Sequence, residues 1–264
     1  SPLFERSYMI SSFGEADVDE MVAYAKRAGL FSLYHEGPFK SWGHFVLRED
    51  QFPSGRAGMK AAVDKARAAG LHFGVHTLTN FINTNDPYVT PVPDDRLSLT
   101  GSSTLTNDID ARQKDIEVRS AEYFSEQKEN YLHTVKIGKE LIRYKSVTTT
   151  PPFTLLDCQR GAFGTTASAH QAGDIAGKLL DHSYQVFFPN FAMQREVATN
   201  LAAFLNETGV DHIDFDGHEG ALASGQGDYA LAVFAKDVLD QVTHDLINGT
   251  SISKTFYWHI GSYY

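Results

Sequence analysis

Three ionisable residues alternate with two apolar ones in His212-Ile-Asp-Phe-Asp216. On a β-strand successive side chains point to opposite faces. If Ile213 and Phe215 pack against helices, His212, Asp214 and Asp216 share the other face. Three such groups on one buried face are costly unless they are hydrogen-bonded or put to use. Glu219 follows three residues after Asp216. Two neighbouring carboxylates can divide labour, one protonating a leaving group while the other attacks or activates water. Glycosidic bonds are cleaved by such pairs.

The same sorting extends to other apolar-alternating runs. In Phe31–Glu36 it sends Phe31, Leu33 and His35 outward and Ser32, Tyr34 and Glu36 inward. In Leu71–Thr77 it sends His72, Gly74 and His76 inward. In Thr255–Ile260 it sends Thr255, Tyr257 and His259 inward. Glu36, His76, Asp214, Asp216, Tyr257 and His259 then converge on one polar mouth, with Glu219 beside it. Asp216 is the expected nucleophile or base, Glu219 the first candidate acid and Glu36 the second. Asp214, His76, Tyr257 and His259 are expected to orient substrate hydroxyls or tune Asp216. The loop after the second strand adds Trp42, whose flat face suits stacking on a sugar ring, together with His44. Each of these residues also has a bland reading, as a satisfied core histidine, a carboxylate capped by backbone, or a packed tryptophan.

The elements that must position these groups alternate. Tyr8–Phe13, Phe31–Glu36 and Leu71–Thr77 read as strands. Asp17–Gly29 reads as a helix, and a second runs to Gly70 with Ser54 as its candidate cap. From residue 83 to about 175 the chain is rich in Thr, Ser, Asp and Pro. It carries short alternating runs at Glu117–Tyr123, Thr134–Ile137, Glu140–Tyr144 and Thr154–Cys158, which predict antiparallel strands. The strand–helix rhythm resumes with a strand at Tyr184–Phe188 and a helix at Met193–Asn206. Then follow a strand at His212–Asp216, a long helix at Asp228–Asn248 and a strand at Lys254–Ile260. Strand–helix–strand units of this length predict a parallel sheet with right-handed crossovers. The expected fold is an α/β (β/α)8-type, TIM-like barrel, truncated after its sixth strand, with an antiparallel β subdomain inserted after the third. Residues 1–82 and 176–264 form the barrel and 83–175 the insertion. An open doubly wound sheet is the alternative.

Composition narrows the chemistry. A formal charge of −10 without a basic stripe argues against nucleic acid as partner. No apolar run approaches the length that spans a bilayer. Neither GxGxxG nor GxxxxGK[ST] occurs, which removes the usual nucleotide loops. G-x-S-x-G is absent, and the first strand has no His-x-His for a metal-dependent amidohydrolase. His72 and His76 sit four apart on a strand, so a zincin helix is excluded. No cofactor or metal is expected. Cys158, the single cysteine, excludes an intramolecular disulfide and a zinc–thiolate cluster. It is expected to be a buried small residue. The compartment stays open on this count, with a periplasmic or secreted protein expected over a cytoplasmic one. Ser1-Pro-Leu is not a natural translation start, and the chain stops on what reads as a strand end. A processed or truncated chain is therefore expected, completed by a C-terminal remainder or by a second chain.

Phe52-Pro-Ser-Gly55, Met59-Lys60 and Ala69-Gly-Leu-His-Phe-Gly74 resemble a stretch of the α-galactosidase-like glycoside hydrolases. Val210-Asp-His-Ile-Asp-Phe-Asp-Gly217 resembles the D-x-D-G strand ends of barrel glycosidases. The resemblance covers about half the chain. It implies a barrel that acts on carbohydrate through carboxylates, with Asp216 as a catalytic residue. The expected fourth strand departs from the family in carrying no acid. In the insertion, Ile137–Tyr144, Cys158–Thr165 and His170-Gln-Ala-Gly173 look like a β-module of phage tail and carbohydrate-active proteins. There Arg160 and His170 are expected to support turns, with a place at the edge of the cleft as the alternative. Two rivals to the hydrolase remain. One is a polysaccharide lyase with His76 or His259 as base and Tyr257 as acid, needing Arg48 or Arg56 against a uronate. The other is a sugar-binding protein without catalysis.

Overall fold

A computed structural model describes residues 7–125 and 130–252, and the backbone of residues 262–263. The chain divides into two compact units, Ser1–Asn80 with Gln194–Tyr264, and Phe81–Met193.

The first unit is built on a six-stranded sheet: β1 (Tyr8–Ser11), β2 (Ser32–His35), β3 (His72–Leu78), β4 (His212–Asp216), β5 (Ile247–Thr250) and β6 (Ser262–Tyr263). Every neighbouring pair is parallel, and the strands lie in sequence order. A doubly wound sheet reverses its order at a switch point. This one does not, so successive crossovers wind one way, as in a barrel. Among the described residues the sheet does not close. Helices α1 (Val18–Arg27), α2 (Gly55–Ala68), α3 (Phe191–Thr208) and α4 (Asp228–Leu239) follow the first four strands.

Two expected elements moved. Val186–Phe187 is not the fourth parallel strand. It pairs antiparallel with Asp181–His182 and Ile82–Asn83 in the second unit. A short apolar run shows that a strand forms, while its partner is chosen by distant residues. The helix expected over Asp228–Asn248 ends at Leu239. Its last two residues, Ile247 and Asn248, belong to β5 instead, where Ile247 stands opposite His212. The strand expected at Lys254–Ile260 lies outside the described residues. Ser54 precedes α2 without a side-chain cap; its N–H donates to Glu15 Oε1 at 2.8 Å.

The outward faces behave as the alternation predicts. Phe73, Val75, Ile213 and Phe215 are buried. Phe215 meets Phe234 of α4 edge-on at 6.3 Å. Val197, Leu201, Phe204 and Leu205 are the buried stripe of α3.

The second unit is antiparallel throughout its sheets. A four-stranded sheet takes the order Glu140–Arg143, Thr134–Ile137, Ile175–Leu179, Leu99–Thr104. A three-stranded one joins Ser146–Val147, Phe153–Leu156 and Ile116–Val118. The run expected at Glu117–Tyr123 thus forms a strand only over Ile116–Val118. Ile116, Val135, Ile142, Leu155 and Cys158 share the core between them. Burial pushes the Cys158 thiol up to about 12, so it holds its proton and is not a nucleophile. Glu140, fully buried, accepts from Arg160 Nε (2.9 Å), Arg160 Nη2 (2.8 Å), His170 Nε2 (2.7 Å), Gly161 N (2.9 Å) and Ser168 N (3.1 Å). Arg160 and His170 thus tie the turns around one carboxylate.

Candidate active site

The inward face of β4 is the floor of a polar cluster. Parallel pairing puts His212 opposite Gly74, Asp214 opposite His76 and Asp216 opposite Leu78. His76 does not pair straight across. Its Nε2 lies 2.8 Å from Asp216 Oδ2, on the diagonal toward the strand end. A carboxylate only accepts, so Nε2 carries the proton. The Gly217 N–H donates to Asp216 Oδ1 at 2.9 Å. Gly217 sits at φ +65°, where a Cβ would also press on Leu78 at 3.1 Å, so glycine is required at this turn. Thr79 N and Thr79 Oγ1 donate to the Asp216 carbonyl at 2.9 and 3.1 Å, extending the β3–β4 ladder past the strand end. The His76 hydrogen bond outweighs partial burial and holds the Asp216 carboxyl below the usual carboxylate range; Gly217 and Ser251 add to it.

Asp214 lies one layer down and is buried. Burial pushes its carboxyl up, against the pull of the Tyr34 and Tyr8 hydroxyls and His76, and the charge of Asp216 raises it further. Tyr8 Oη donates to Asp214 Oδ2 at 3.2 Å. Tyr8 is on β1 and Asp214 on β4, three strand spacings apart, roughly 14 Å in a flat sheet. The hydrogen bond requires the sheet to curl with this face concave. Tyr34 Oη donates to Val75 O at 2.9 Å and accepts the Asp214 N–H at 3.2 Å. Its ring lies over Gly74, where a Cβ would come 2.2 Å from Tyr34 Cδ2. Below them His212 Nδ1 meets Ser32 Oγ at 3.0 Å, its ring 4.7 Å from Tyr8 and 4.9 Å from Tyr34. Burial lowers His212 to about 4, so it is neutral.

Glu219 lies in the first turn of the 3-10 helix His218–Ser224, directly after the Gly217 turn. Its Oε2 accepts from Ser251 Oγ at 3.0 Å. Ser251 follows β5, and its hydroxyl also helps hold Asp216 low. One hydroxyl thus sits beside both carboxylates.

The structure brings together His76, Asp214, Asp216 and Glu219. It does not bring in Glu36. β2 ends at His35, whose ring accepts the Gly37 N–H at 3.0 Å and donates to Phe13 O at 2.8 Å. The chain turns there, so strand alternation does not carry to Glu36. That exposed side chain lies where its charge acts on His35 and Arg48. Trp42 and His44 are half-buried in the turn between Phe39–Ser41 and Val46–Leu47. Asn200 of α3 holds that turn through Gly43 O at 3.0 Å. Tyr257 and His259 lie outside the described residues. Arg48 pairs with Asp50 at 2.8 Å and Arg56 with Glu207 at 2.7 Å, so both cations the lyase reading needed are engaged elsewhere. Sequence reasoning missed Tyr8, Tyr34 and Ser251 as site residues. Alternation had already turned Tyr34 inward, and the same rule applied to β1 would have turned Tyr8. Nothing local to Ser251 marked it. Among the described residues no group of three or more His, Cys, Asp or Glu side chains is placed to hold a metal ion.

No protein-family profile matches the chain, and no curated protein sequence does. Among solved structures, the trehalose-6-phosphate hydrolase TreA of Bacillus licheniformis superposes with a TM-score of 0.53 at 11% identity, covering 92% of this chain and 41% of that one. A variant of the trehalulose synthase MutB gives 0.52 at 11% identity, covering 90% and 40%. An α-galactosidase of Thermus thermophilus gives 0.46 at 9% identity, covering 93% and 38%, too low a score to carry an argument. The chain spans about two fifths of the length of TreA and MutB. Both neighbours have the TIM-barrel fold, and at this identity the likeness is one of fold alone. The first unit has six parallel strands in sequence order and no closure among the described residues.

Proposed function

We propose that this chain carries the carboxylate machinery of a glycoside hydrolase. The observation that supports it is the pair on β4. Asp216 is held ionised at the strand end by His76, while Asp214, two residues back on the same face, is pushed the other way. The split leaves the negative charge on Asp216, at the strand C-terminus where barrel enzymes keep their reacting groups. In this reading Asp216 is the nucleophile or base. Its Oδ2 is oriented by His76 and its Oδ1 by the Gly217 N–H. Glu219, set by Ser251, donates the proton to the leaving oxygen. Asp214 and Tyr8 support the floor and tune Asp216. His76 also edges the space a sugar hydroxyl would enter.

The test is turnover by the chain and by Asp216→Asn on a panel of plant, algal and bacterial glycans. New reducing ends are expected, lost by about a thousandfold or more in Asp216→Asn. Unsaturated-uronate absorbance would put a lyase in place of the hydrolase. Binding of a glycan by both proteins with no turnover would leave a sugar-binding protein.

A further inference from the structure

The second unit presents aromatic side chains that no step above uses. Phe81, Phe124, Tyr144, Phe187 and Phe188 are buried, but Tyr184 is 60% exposed and Tyr131 49% exposed. They come from separate loops and meet at one imidazole. The centroid of the His182 ring lies 4.4 Å from that of Tyr184 and 5.4 Å from that of Tyr131. Beneath it, Phe81 stacks on His182 at 5.8 Å with 19° between the planes, and Phe188 packs edge-on against Phe81 at 5.0 Å. His182 Nδ1 accepts the Tyr184 N–H at 3.3 Å, which leaves the ring's donor hydrogen on Nε2.

This shelf is held from below. Asp181, 1% exposed, accepts the backbone N–H of Tyr131 at 2.8 Å and of Leu132 at 3.2 Å. Lys178, equally buried, holds Asp181 at 3.0 Å. A buried ion pair is thus spent on fixing the backbone beneath an exposed tyrosine. The hairpin that carries His182 and Tyr184 turns through Gln185 at φ +60°, a strained setting for a residue with a long side chain. A backbone fixed by a buried charge pair under an exposed aromatic cluster suits a preorganised binding surface, because little entropy is then lost on contact.

We infer that Tyr131, His182 and Tyr184 form a carbohydrate-binding subsite that takes a pyranose unit of a neutral glycan. Flat aromatic faces match the C–H face of a sugar ring, and the two phenol hydroxyls and His182 Nε2 supply hydrogen bonds to its hydroxyls. The choice of a neutral ligand follows from the overall charge of −10, which repels polyanions. The inference rests on the hydrolase reading only for the class of ligand, since the shelf lies in the other unit and needs no turnover.

The test uses the full chain in the Asp216→Asn background and measures retardation in native gels containing soluble starch, dextran, galactomannan or alginate. Retardation by at least one neutral polysaccharide is expected, weakened at least tenfold by Tyr131→Ala/Tyr184→Ala. Tyr131→Phe/Tyr184→Phe keeps the stacking faces and is expected to stay within about threefold. Both tyrosines are exposed, so an unchanged thermal midpoint in the variants certifies the fold. Equal retardation of the double-alanine chain overturns the inference. So does retardation by alginate alone, or by none of the four. If the parent chain, with Asp216 intact, binds through the shelf but releases no reducing ends from any of the four, the hydrolase reading falls and the subsite stands.

Discussion

His76 stands opposite Asp214 in the β3–β4 register, yet its Nε2 bonds Asp216 at 2.8 Å. That diagonal contact separates the two carboxyls of β4. It gives Asp216 a hydrogen-bond donor and leaves Asp214 to the tyrosines. Replacing His76 by Ala removes the largest influence that holds Asp216 low. The Asp216 carboxyl is expected to titrate at higher pH, read from its carboxyl carbon shift by NMR. A lowered folded value contributes stability that is present above the unfolded value, near 3.8, and lost as pH falls through the folded one. Acid unfolding of His76→Ala is therefore expected to begin at higher pH than in the parent. Coincident acid transitions would refute this role of His76.

Asp214 has the opposite sign. Its folded value is raised, so its contribution is fully present below the unfolded value near 3.8 and is lost as pH rises through the folded value. Asp214→Asn keeps the acceptor for Tyr8 and removes the charge. Relative to the parent, this variant is expected to gain thermal midpoint as pH is taken from 4 to 7. A difference between the two that stays constant over that range would show that Asp214 is not strained by ionisation.

Gly74 makes room for Tyr34. A methyl group there would lie 2.2 Å from Cδ2 and 2.6 Å from Cε2 of the ring. Displacing the ring breaks its bonds to Val75 O and Asp214 N. Gly74→Ala is expected to cost about 2–3 kcal/mol in urea unfolding. In the Tyr34→Ala background the same change is expected to cost much less, a coupling that a double-mutant cycle measures. Additive costs would mean that the clash lies with the backbone, where His212 O is 3.1 Å from the added carbon.

Glu140 anchors the second unit. Burial by itself would raise its carboxyl, but Arg160, His170 and two backbone N–H groups bring it below the usual range. Truncation to Ala leaves the buried Arg160 side chain without its counter-charge. A loss of about 3–5 kcal/mol is expected, seen as early unfolding of this unit by denaturant or by hydrogen exchange. Glu140→Gln is expected to lose less, because it retains one acceptor for Arg160. A loss under about 1 kcal/mol for the alanine variant would show that solvent reaches the cluster.

The alternation in His212–Asp216 was enough to sort that strand's faces, because the period of a strand is a local property and two apolar residues identified the helix side. The antiparallel runs of the insertion were readable for the same reason, whereas the turn role of Arg160 and His170 was implied by the resemblance of their glycine-bearing pattern to a β-module. Glu36 failed because alternation holds only while the strand lasts, and His35 ends it by bonding the Gly37 N–H. Val186–Phe187 failed as the fourth parallel strand because apolar spacing does not name a partner, and Ile247–Asn248 failed as the end of a helix because their place beside β4 is set by pairing, not by local spacing. Sequence by itself determined which side chains share a face. The tertiary structure alone decided which faces meet. Tyr8 reaches Asp214 only because four strands curl, and Ser251 comes to Glu219 only because β5 lies beside β4. Both contacts join residues remote in the chain, and no local period encodes the curvature that closes the distance.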